Sequence, residues 1–347
     1  MKEYNKNTAL CFDDILLVPQ HSDIESRSQV SLHTTIGRGS TAIGMKIPLV
    51  AAPMDTVCEW EMALTLRKLG GLGIIHRYNT IEEQTFHARM MNAYKALAGY
   101  AIGATGDYIE RAWSLFDAGA SIFLVDTANG HNQYAISAVE NLRKTFGRNI
   151  HIMAGNVSTG EGFARLANAG ADSVRVGIGG GSMCTTRIVT GHGMPTLASI
   201  MDVVNYGIQF PDTSIIADGG IRNSGDAAKA LASGAHAVMV GSMLAGTDES
   251  PGVTQTDKDG NRYKEFRGMA SREAQYEGRG SVSVVEGVAT VVPYKGSVMN
   301  VVDEFTGGLR SALSYSGANN IKEFKENSEY IKVTHSSLGE SKPHGKN

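Results

Sequence analysis

One cysteine of this chain lies in a segment whose composition suits a nucleophile. Cys184 stands in the glycine-rich residues 177–187 and is followed directly by Thr185, Thr186 and Arg187. A buried, unreactive cysteine normally has apolar neighbours. Hydroxyl and cationic neighbours instead favour the thiolate, which is the nucleophilic form. We therefore interpret Cys184 as a nucleophile presented on a flexible loop.

Two further segments are typical of a site for a ribose phosphate. Asp218, Gly219 and Gly220 follow one apolar run, and Gly241 and Ser242 follow the next. Glycines let backbone N–H groups approach a phosphate, and a hydroxyl adds a hydrogen-bond donor. An aspartate repels phosphate but accepts hydrogen bonds from ribose hydroxyls. Each segment alone is equally typical of an ordinary tight turn; together they favour the ligand site.

Several other polar residues are open to two interpretations. Glu286 is a lone carboxylate between apolar stretches; it suits proton transfer, although such a residue is more often a surface charge. Asp126 ends an apolar run, and Asn129 follows it closely; a ligand contact and a solvated loop are equally compatible. For His76 and Arg77, after another run, we expect a structural or solvated role.

Eight short apolar runs predict the strands that position these residues. They alternate with helix-patterned segments, several of which end in glycine. Because the runs are apolar throughout, both faces of each strand should be buried, as in a parallel sheet. An open doubly wound sheet would also fit. Eight strands, with glycine-rich ends after the seventh and eighth, favour a (β/α)₈ TIM barrel. The runs are residues 47–52, 71–76, 98–103, 121–126, 151–155, 173–177, 214–218 and 236–241.

The segment after the eighth predicted strand departs from this alternation. Residues 246–295, approximately, are polar and turn-rich, which is more typical of a lid or binding loop than of a linker. A helix is predicted near residues 298–311. We expect residues 1–347 to form one catalytic domain that carries this lid, with a polar and mobile tail over 336–347.

The composition excludes several classes of function. The 347 residues carry a net charge of −3, so nothing indicates a basic surface for nucleic acid or an anionic membrane. The three cysteines have no zinc or disulfide spacing, which suits a reducing compartment. No signal peptide or membrane-spanning run is visible. We expect a soluble cytoplasmic protein with no nucleic-acid or membrane partner.

Nine ordered motifs resemble those of the IMP dehydrogenase and GMP reductase family over essentially the whole chain. They occupy residues 10–19, 51–57, 126–131, 154–159, 177–187, 217–221, 241–247, 266–269 and 292–296.

The resemblance implies a TIM barrel, usually a homotetramer, that acts on a small purine nucleotide with a nicotinamide cofactor. It assigns Cys184 as the nucleophile that attacks C2 of the purine and Thr186 as an active-site hydroxyl. It implies a monovalent cation, K⁺, bound by carbonyls of Gly179, Gly181 and Cys184. The implied nucleotide-binding residues are Ser182, Asp218, Gly219, Gly220, Gly241, Ser242, Gly268 and Met269. The cofactor side is assigned to Asp126, Asn129, Gly177 and Gly179.

Two features of the chain favour the reductase branch. Dehydrogenases generally carry CBS domains between the second and third strands, and this chain has no such insert. Their lid carries an adjacent Arg-Tyr pair that activates water, whereas between Met269 and Glu286 this chain has Arg272, Tyr276 and Arg279 but no adjacent pair. We therefore expect an NADPH-dependent GMP reductase that forms IMP and ammonia, with Thr186 and Glu286 protonating the departing amine.

Other features favour the alternatives. Residues 218–226 and 340–344 look more like an IMP dehydrogenase, which oxidises IMP to XMP with NAD. Gly180, His192 and Phe266 depart from the usual Pro, Val and Tyr. A nucleotide-binding barrel without catalysis is the third possibility, although Cys184, Thr186 and Glu286 are all present.

Overall fold

The protein, described by a computed structural model over residues 8–341 except the side chains of Arg279 and Leu338, is built around a closed barrel of eight parallel strands. The eighth strand pairs with the first, so the open sheet is excluded and the predicted TIM barrel is confirmed. The strands are β1 (Leu49–Ala51), β2 (Leu72–Ile75), β3 (Gly99–Ile102), β4 (Ile122–Asp126), β5 (His151–Val157), β6 (Ser173–Val176), β7 (Ser214–Asp218) and β8 (Ala237–Val240).

A helix follows each strand and covers the outside of the barrel. Side chains at the N-caps hold several of them, such as Asn132 before the fourth and Asn223 before the seventh. No helix in residues 8–341 is long and apolar enough to cross a membrane. The helices are α1 (Trp60–Leu69), α2 (Ile81–Ala93), α3 (Tyr108–Asp117), α4 (Gln133–Phe146), α5 (Gly160–Asn168), α6 (Thr196–Gly207), α7 (Ser224–Ala232) and α8 (Val298–Tyr315).

The strands read as continuous apolar runs because both of their faces are buried. In β4, Ile122 and Leu124 point into the barrel, whereas Phe123 and Val125 pack with the surrounding helices. All four side chains are at most 1% exposed. Because both faces are buried, the strands lack the alternation of apolar and polar residues that is typical of a sheet with one solvent-exposed face.

Short elements outside the barrel were not predicted. A hairpin of Thr34–Ile36 and Ile43–Met45 precedes β1, and the strand Ile15–Val18 pairs antiparallel with Glu329–Lys332 near the other terminus. The remaining elements are the 3₁₀ helices Phe12–Asp14, Arg27–Gln29, Gly39–Thr41 and Gly147–Asn149, and the helices Thr186–Thr190, Ile321–Asn327 and Ser337–Glu340.

The insertion between β8 and α8 holds more regular structure than the turn-rich loop that was expected. It contains an antiparallel sheet and the lid helix (Arg272–Arg279). The sheet strands are Gln255–Thr256, Arg262–Arg267 and Ala289–Pro293. The central strand was hidden in the sequence because two of its inward residues are charged: Lys264 and Arg267 are both under 9% exposed. Part of the predicted mobile tail, residues 342–347, lies outside the described residues, and residues 337–340 are helical.

Candidate active site

A cavity of about 430 Å³ opens at the carboxyl ends of the barrel strands, the end at which TIM barrels place their active sites. Its size is within the range of small-molecule sites, about 300–1,000 Å³. The predicted site residues that line it are Cys184, Thr186, Glu286, Ser182, Asp218, Gly219, Gly220, Gly241, Ser242, Gly268, Met269, Asp126, Gly177, Gly179 and Gly181.

Asn129 is the predicted site residue that does not line the cavity. It is exposed in the turn after β4, and its side-chain oxygen accepts the backbone N–H of His131 at 3.0 Å. Its side chain therefore organises the start of α4 in this conformation.

The loop that carries Cys184 leaves β6 through a crowded turn. Gly177 has φ +139°, and a Cβ at this position would lie 2.0 Å from the carbonyl oxygen of Asp218. Gly179 has φ +81°, and a Cβ there would lie 2.7 Å from the Arg187 side chain. Glycine is required at both positions by conformation and by space. The loop then continues into the short helix Thr186–Thr190. Cys184 from the loop and Thr186 from the helix both line the cavity.

Three side chains form a hydrogen-bonded series along the cavity wall. The thiol of Cys184 donates to Oγ1 of Thr186 at 3.1 Å, and that hydroxyl donates to Oε2 of Glu286 at 2.7 Å. Thr186 lies at the start of the short helix, whereas Glu286 comes from the lid, 100 residues further along the chain. The series can carry a proton between the thiol and the carboxylate.

Backbone pairing between the lid and the cysteine loop fixes the position of Glu286. Cys184 and Gly287 form an isolated antiparallel bridge. The N–H of Thr185 donates to the carbonyl of Glu286 at 2.9 Å, and the N–H of Val288 donates to the carbonyl of Met183 at 3.0 Å. The lid is therefore docked on the loop that holds the thiol, and the carboxylate reaches the site as a consequence.

A buried arginine joins two carboxylates across the barrel mouth. Arg175, whose side chain is 9% exposed, donates to Oδ1 of Asp126 at 2.6 Å and to Oδ2 of Asp218 at 2.8 Å. Burial opposes its charge, but Asp218 and Asp126 together raise the pKa of Arg175 above the usual value. Asn156 donates to the same oxygen of Asp218 at 2.8 Å. Arg77, for which we expected a solvated role, lines the cavity 3.6 Å from Asp126.

Sequence reasoning missed Arg175 and Asn156. The available signal was a charged residue within an otherwise buried strand: Arg175 stands between two valines in β6. A charge in such a strand needs a partner. Its partners come from β4 and β7, and the sequence does not reveal this without the barrel. His76 is buried, as its structural interpretation implied, and its Nε2 lies 3.2 Å from Glu59.

The glycine turns after β7 and β8 lie side by side at the cavity. Gly219 and Gly220 have φ +93° and +76°, values that glycine adopts freely. Beside the second turn, the ammonium group of Lys295 donates to the carbonyls of Ser242 at 2.7 Å and Met243 at 3.1 Å. Burial lowers the pKa of Lys295. Lys295, which the site predictions omitted, places a cation next to the turn predicted to bind a phosphate.

The other two thiols differ from Cys184 in their surroundings. Cys58 is fully buried, and burial strongly raises its pKa. Cys11 is partly buried, and burial together with Asp14 raises its pKa. Cys184 is the cysteine that lines the cavity. In residues 8–341, no group of three or more histidine, cysteine or acidic side chains is arranged to hold a metal ion.

The fold and the site together define a TIM-barrel protein with a thiol, a hydroxyl and a carboxylate in series at the carboxyl ends of its strands. The model of the IMP dehydrogenase / GMP reductase domain matches residues 9–344. The chain therefore belongs to the IMP dehydrogenase / GMP reductase family, a family of purine nucleotide oxidoreductases, as its motifs predicted.

Relatives of both activities are similar to this chain. Inosine-5'-monophosphate dehydrogenase of Nitrosopumilus maritimus is 36% identical over 471 aligned positions, covering 96% of this chain and 98% of the relative. The same enzyme of Bacillus subtilis is 43% identical, covering 96% and 95%. Both alignments are longer than this chain, so part of each relative has no counterpart here. The crystal structure of a Trypanosoma brucei GMP reductase variant with guanosine 5'-monophosphate superposes with a TM-score of 0.91, at 29% identity and 98% coverage of both chains.

Proposed function

We propose that this protein is a GMP reductase, which uses NADPH to convert GMP into IMP and ammonia through a thioimidate on Cys184. The observation that carries the proposal is the hydrogen-bonded series from Cys184 through Thr186 to Glu286. A departing amine needs a proton, and this series ends on the group that can deliver it. Between Met269 and Glu286, where the dehydrogenases carry the adjacent Arg-Tyr pair that activates water, this chain has no such pair.

The first half of the reaction exchanges sulfur for nitrogen at C2 of the purine. The thiolate of Cys184 forms the new C–S bond, and the C2–N bond breaks. The thiol proton passes to Thr186 and Glu286 and then to the amino group, which leaves as ammonia. One thiol and one 2-amino group are consumed in this step, one thioimidate and one ammonia are formed, and no water is used. Splitting the substitution through a covalent intermediate replaces one difficult step by two easier ones.

The second half returns the thiol. NADPH, when bound, supplies a hydride to C2; with one proton from solvent, the C–S bond breaks and IMP is released. Asp126 lines the cavity and has a carboxylate suited to ribose hydroxyls. We assign it, with Gly177 and Gly179, to the cofactor side, and Asn129 to a flanking position in the same turn. The choice of NADPH over NADH follows from the reductase assignment.

The same turns suit the nucleotide. We assign its phosphate to Gly219, Gly220, Gly241 and Ser242, next to the ammonium group of Lys295, and its ribose to Asp218. Ser182, Gly268 and Met269 line the same cavity. Glycine turns with free backbone N–H groups are the usual anion sites of such barrels.

Further properties are proposed from family membership. Carbonyls of Gly179, Gly181 and Cys184 suit K⁺, which prefers carbonyl oxygens. The Gly181 carbonyl also accepts the N–H of Cys184 at 3.1 Å, so a bound ion would share that oxygen. A homotetramer would give that ion its remaining ligands. Three free cysteines agree with a reducing cytoplasm.

IMP dehydrogenase is the second candidate. It is favoured by the dehydrogenase names of the 36% and 43% identical relatives, compared with 29% identity for the reductase structure. That reaction forms the same thioimidate by transfer of a hydride from IMP to NAD⁺, and water then attacks. A barrel that binds nucleotides without turnover is the third.

Two assays separate these candidates. Protein is mixed with GMP and NADPH, and in parallel with IMP, NAD⁺ and potassium, while the absorbance of the reduced cofactor is followed. We expect loss of absorbance in the first mixture, with one ammonia released per NADPH oxidised, and no change in the second. A gain of absorbance in the second would overturn the proposal in favour of the dehydrogenase. Binding of GMP without turnover in either mixture would overturn both.

A further inference from the structure

We propose that Arg175 is a positioning residue that serves both ligands at once. It holds the carboxylate of Asp218, assigned to the nucleotide, and the carboxylate of Asp126, assigned to the cofactor, in one fixed arrangement. The inference rests on the proposed function for the identity of the two ligands. Its physical basis is the series Arg77, Asp126, Arg175 and Asp218, in which charges alternate across the mouth from β2 to β7.

The guanidinium of Arg175 contacts the two carboxylates through different nitrogens. Nη1 donates to Asp126, whereas Nη2 and Nε donate to Asp218 at 2.8 and 3.3 Å. The planar group has a rigid fork geometry, so the position of one carboxylate restricts the position of the other. Both aspartates line the cavity, with side chains 22% and 15% exposed.

Asp218 has one oxygen engaged and one available. Oδ2 accepts from Arg175 and Asn156, and in the described residues no hydrogen bond to its Oδ1 is found. A ribose hydroxyl in the cavity can therefore donate to Oδ1 while Arg175 holds the other oxygen.

Two polar residues near Arg175 each contact one of the two aspartates. Asn156 donates to Asp218 and to the carbonyl of Gly177. The guanidinium of Arg77 lies 3.6 Å from the carboxylate of Asp126 and donates to the backbone carbonyl of Asp126 at 3.5 Å. Arg175 is the residue of this group that touches both carboxylates. Without it, the two carboxylates would lose the cation that holds them in one fixed arrangement.

Three variants distinguish a residue that serves both ligands from a residue that serves only one. The affinity for GMP is measured by calorimetry, the KM for NADPH and kcat by steady-state kinetics, and the fold by circular dichroism. For Arg175→Gln we expect GMP binding to weaken and the KM for NADPH to rise, each by about tenfold or more, which is typical of losing a buried charge-assisted hydrogen bond. Asn156→Ala should weaken GMP binding alone, and Arg77→Gln should raise the KM for NADPH alone.

The split between affinity and turnover is a readout that a purely structural role would not move. In Arg175→Gln the losses should appear in GMP binding and in the KM for NADPH, whereas kcat at saturating substrates should change less, because Arg175 contacts the two aspartates and not the reacting thiol. If Arg175→Gln does not fold, Arg175→Lys keeps the charge. Its ammonium group lacks the fork that spans both carboxylates, so at least one ligand should bind about tenfold more weakly.

The outcomes distinguish this inference from the proposed function. A wild-type protein that binds neither GMP nor NADPH would overturn the function and the inference together. Normal wild-type turnover with a folded Arg175→Gln variant that loses affinity for one ligand only, or for neither, would overturn the inference and leave the function intact. A folded Arg175→Lys variant that binds both ligands as wild type does would overturn it in the same way.

Discussion

At the scale of single residues, the chemistry depends on a proton path between three side chains from separate segments. Cys184 is in the loop after β6, Thr186 begins the short helix that follows, and Glu286 is in the lid. The two hydrogen bonds that join them are 3.1 and 2.7 Å long. Because the lid backbone holds Glu286 through its pairing with Met183 and Thr185, its carboxylate can be altered without displacing the thiol.

Glu286→Gln should therefore lower kcat for GMP reduction about 10²–10⁴-fold, the usual contribution of a positioned proton donor. The KM for GMP should change little, since the amide keeps the size and one acceptor oxygen of the carboxylate. The matched control is Glu273→Gln, at an exposed position in the lid helix, which should behave as wild type. A Glu286→Gln variant with wild-type kcat would contradict the assigned role.

Lys295 is predicted to act on binding instead. Lys295→Met removes the ammonium group beside the turn at Ser242, so the KM for GMP should rise about tenfold, as for loss of one charge-assisted contact. kcat should be nearly unchanged, and the KM for guanosine, which has no phosphate, should not rise. Lys258→Met, at an exposed turn of the lid, is the control. An equal loss for GMP and guanosine would exclude a phosphate-specific role.

At the scale of secondary-structure elements, the cysteine loop packs between two neighbours. Gly180 and Gly181 approach Gly219, where an added Cβ would lie 3.2 Å from both backbones. On the other side, the hydroxyl of Thr196 at the start of α6 is buried and has no hydrogen-bond partner in the described residues. A Cβ at Gly180 would lie 2.6 Å from that oxygen. The space beside position 180 therefore suits glycine.

Gly180→Ala should therefore push the cysteine loop away from α6 and lower kcat/KM about tenfold, in the way that small displacements of a site reduce rate. Adding Thr196→Ala removes the clashing atom and should restore most of the loss. The single variant Thr196→Ala should be close to wild type. The double-mutant cycle, measured by steady-state kinetics, gives the coupling between the two positions. Purely additive effects would show that the steric argument is wrong.

The sequence predicted the regular elements better than the contacts between them. All eight barrel strands were found because burial on both faces makes β4 and its neighbours continuous apolar runs. The pairing of Ile15–Val18 with Glu329–Lys332 joins segments more than 300 residues apart, and no local pattern marks it. Arg175 was missed for the same reason. Its role depends on contacts with Asp126 and Asp218, which lie beside it only once the barrel has closed.

At the scale of the whole molecule, the amino ends of the barrel strands carry buried polar groups far from the cavity. His236 precedes β8 there, and its Nδ1 accepts the backbone N–H of Ile215 at 3.0 Å. Burial, with a smaller effect from Lys325, lowers the pKa of His236 to about 3. The ring of His236 is therefore neutral in the folded protein. In the unfolded chain its pKa is the ordinary value of about 6.5.

Because the pKa of His236 is lower in the folded state, its contribution to stability is complete above about pH 6.5 and declines as the pH falls toward about 3. His236→Gln retains an acceptor for Ile215 and does not titrate. The variant should lose less free energy of unfolding than wild type between pH 7 and pH 4.5, as measured by urea denaturation. His21→Gln, at an exposed position, should follow the wild-type curve. Parallel curves for wild type and His236→Gln would contradict the prediction.

The most direct test of the account asks whether the Cys184 sulfur is bonded to the purine during turnover. Protein turning over GMP and NADPH is quenched in acid, and its mass and that of its peptides are measured. We predict an adduct with the mass of GMP less ammonia on the peptide that contains Cys184, and neither adduct nor turnover in Cys184→Ala. Undiminished turnover by that variant, or the adduct on another peptide, would contradict the central claim.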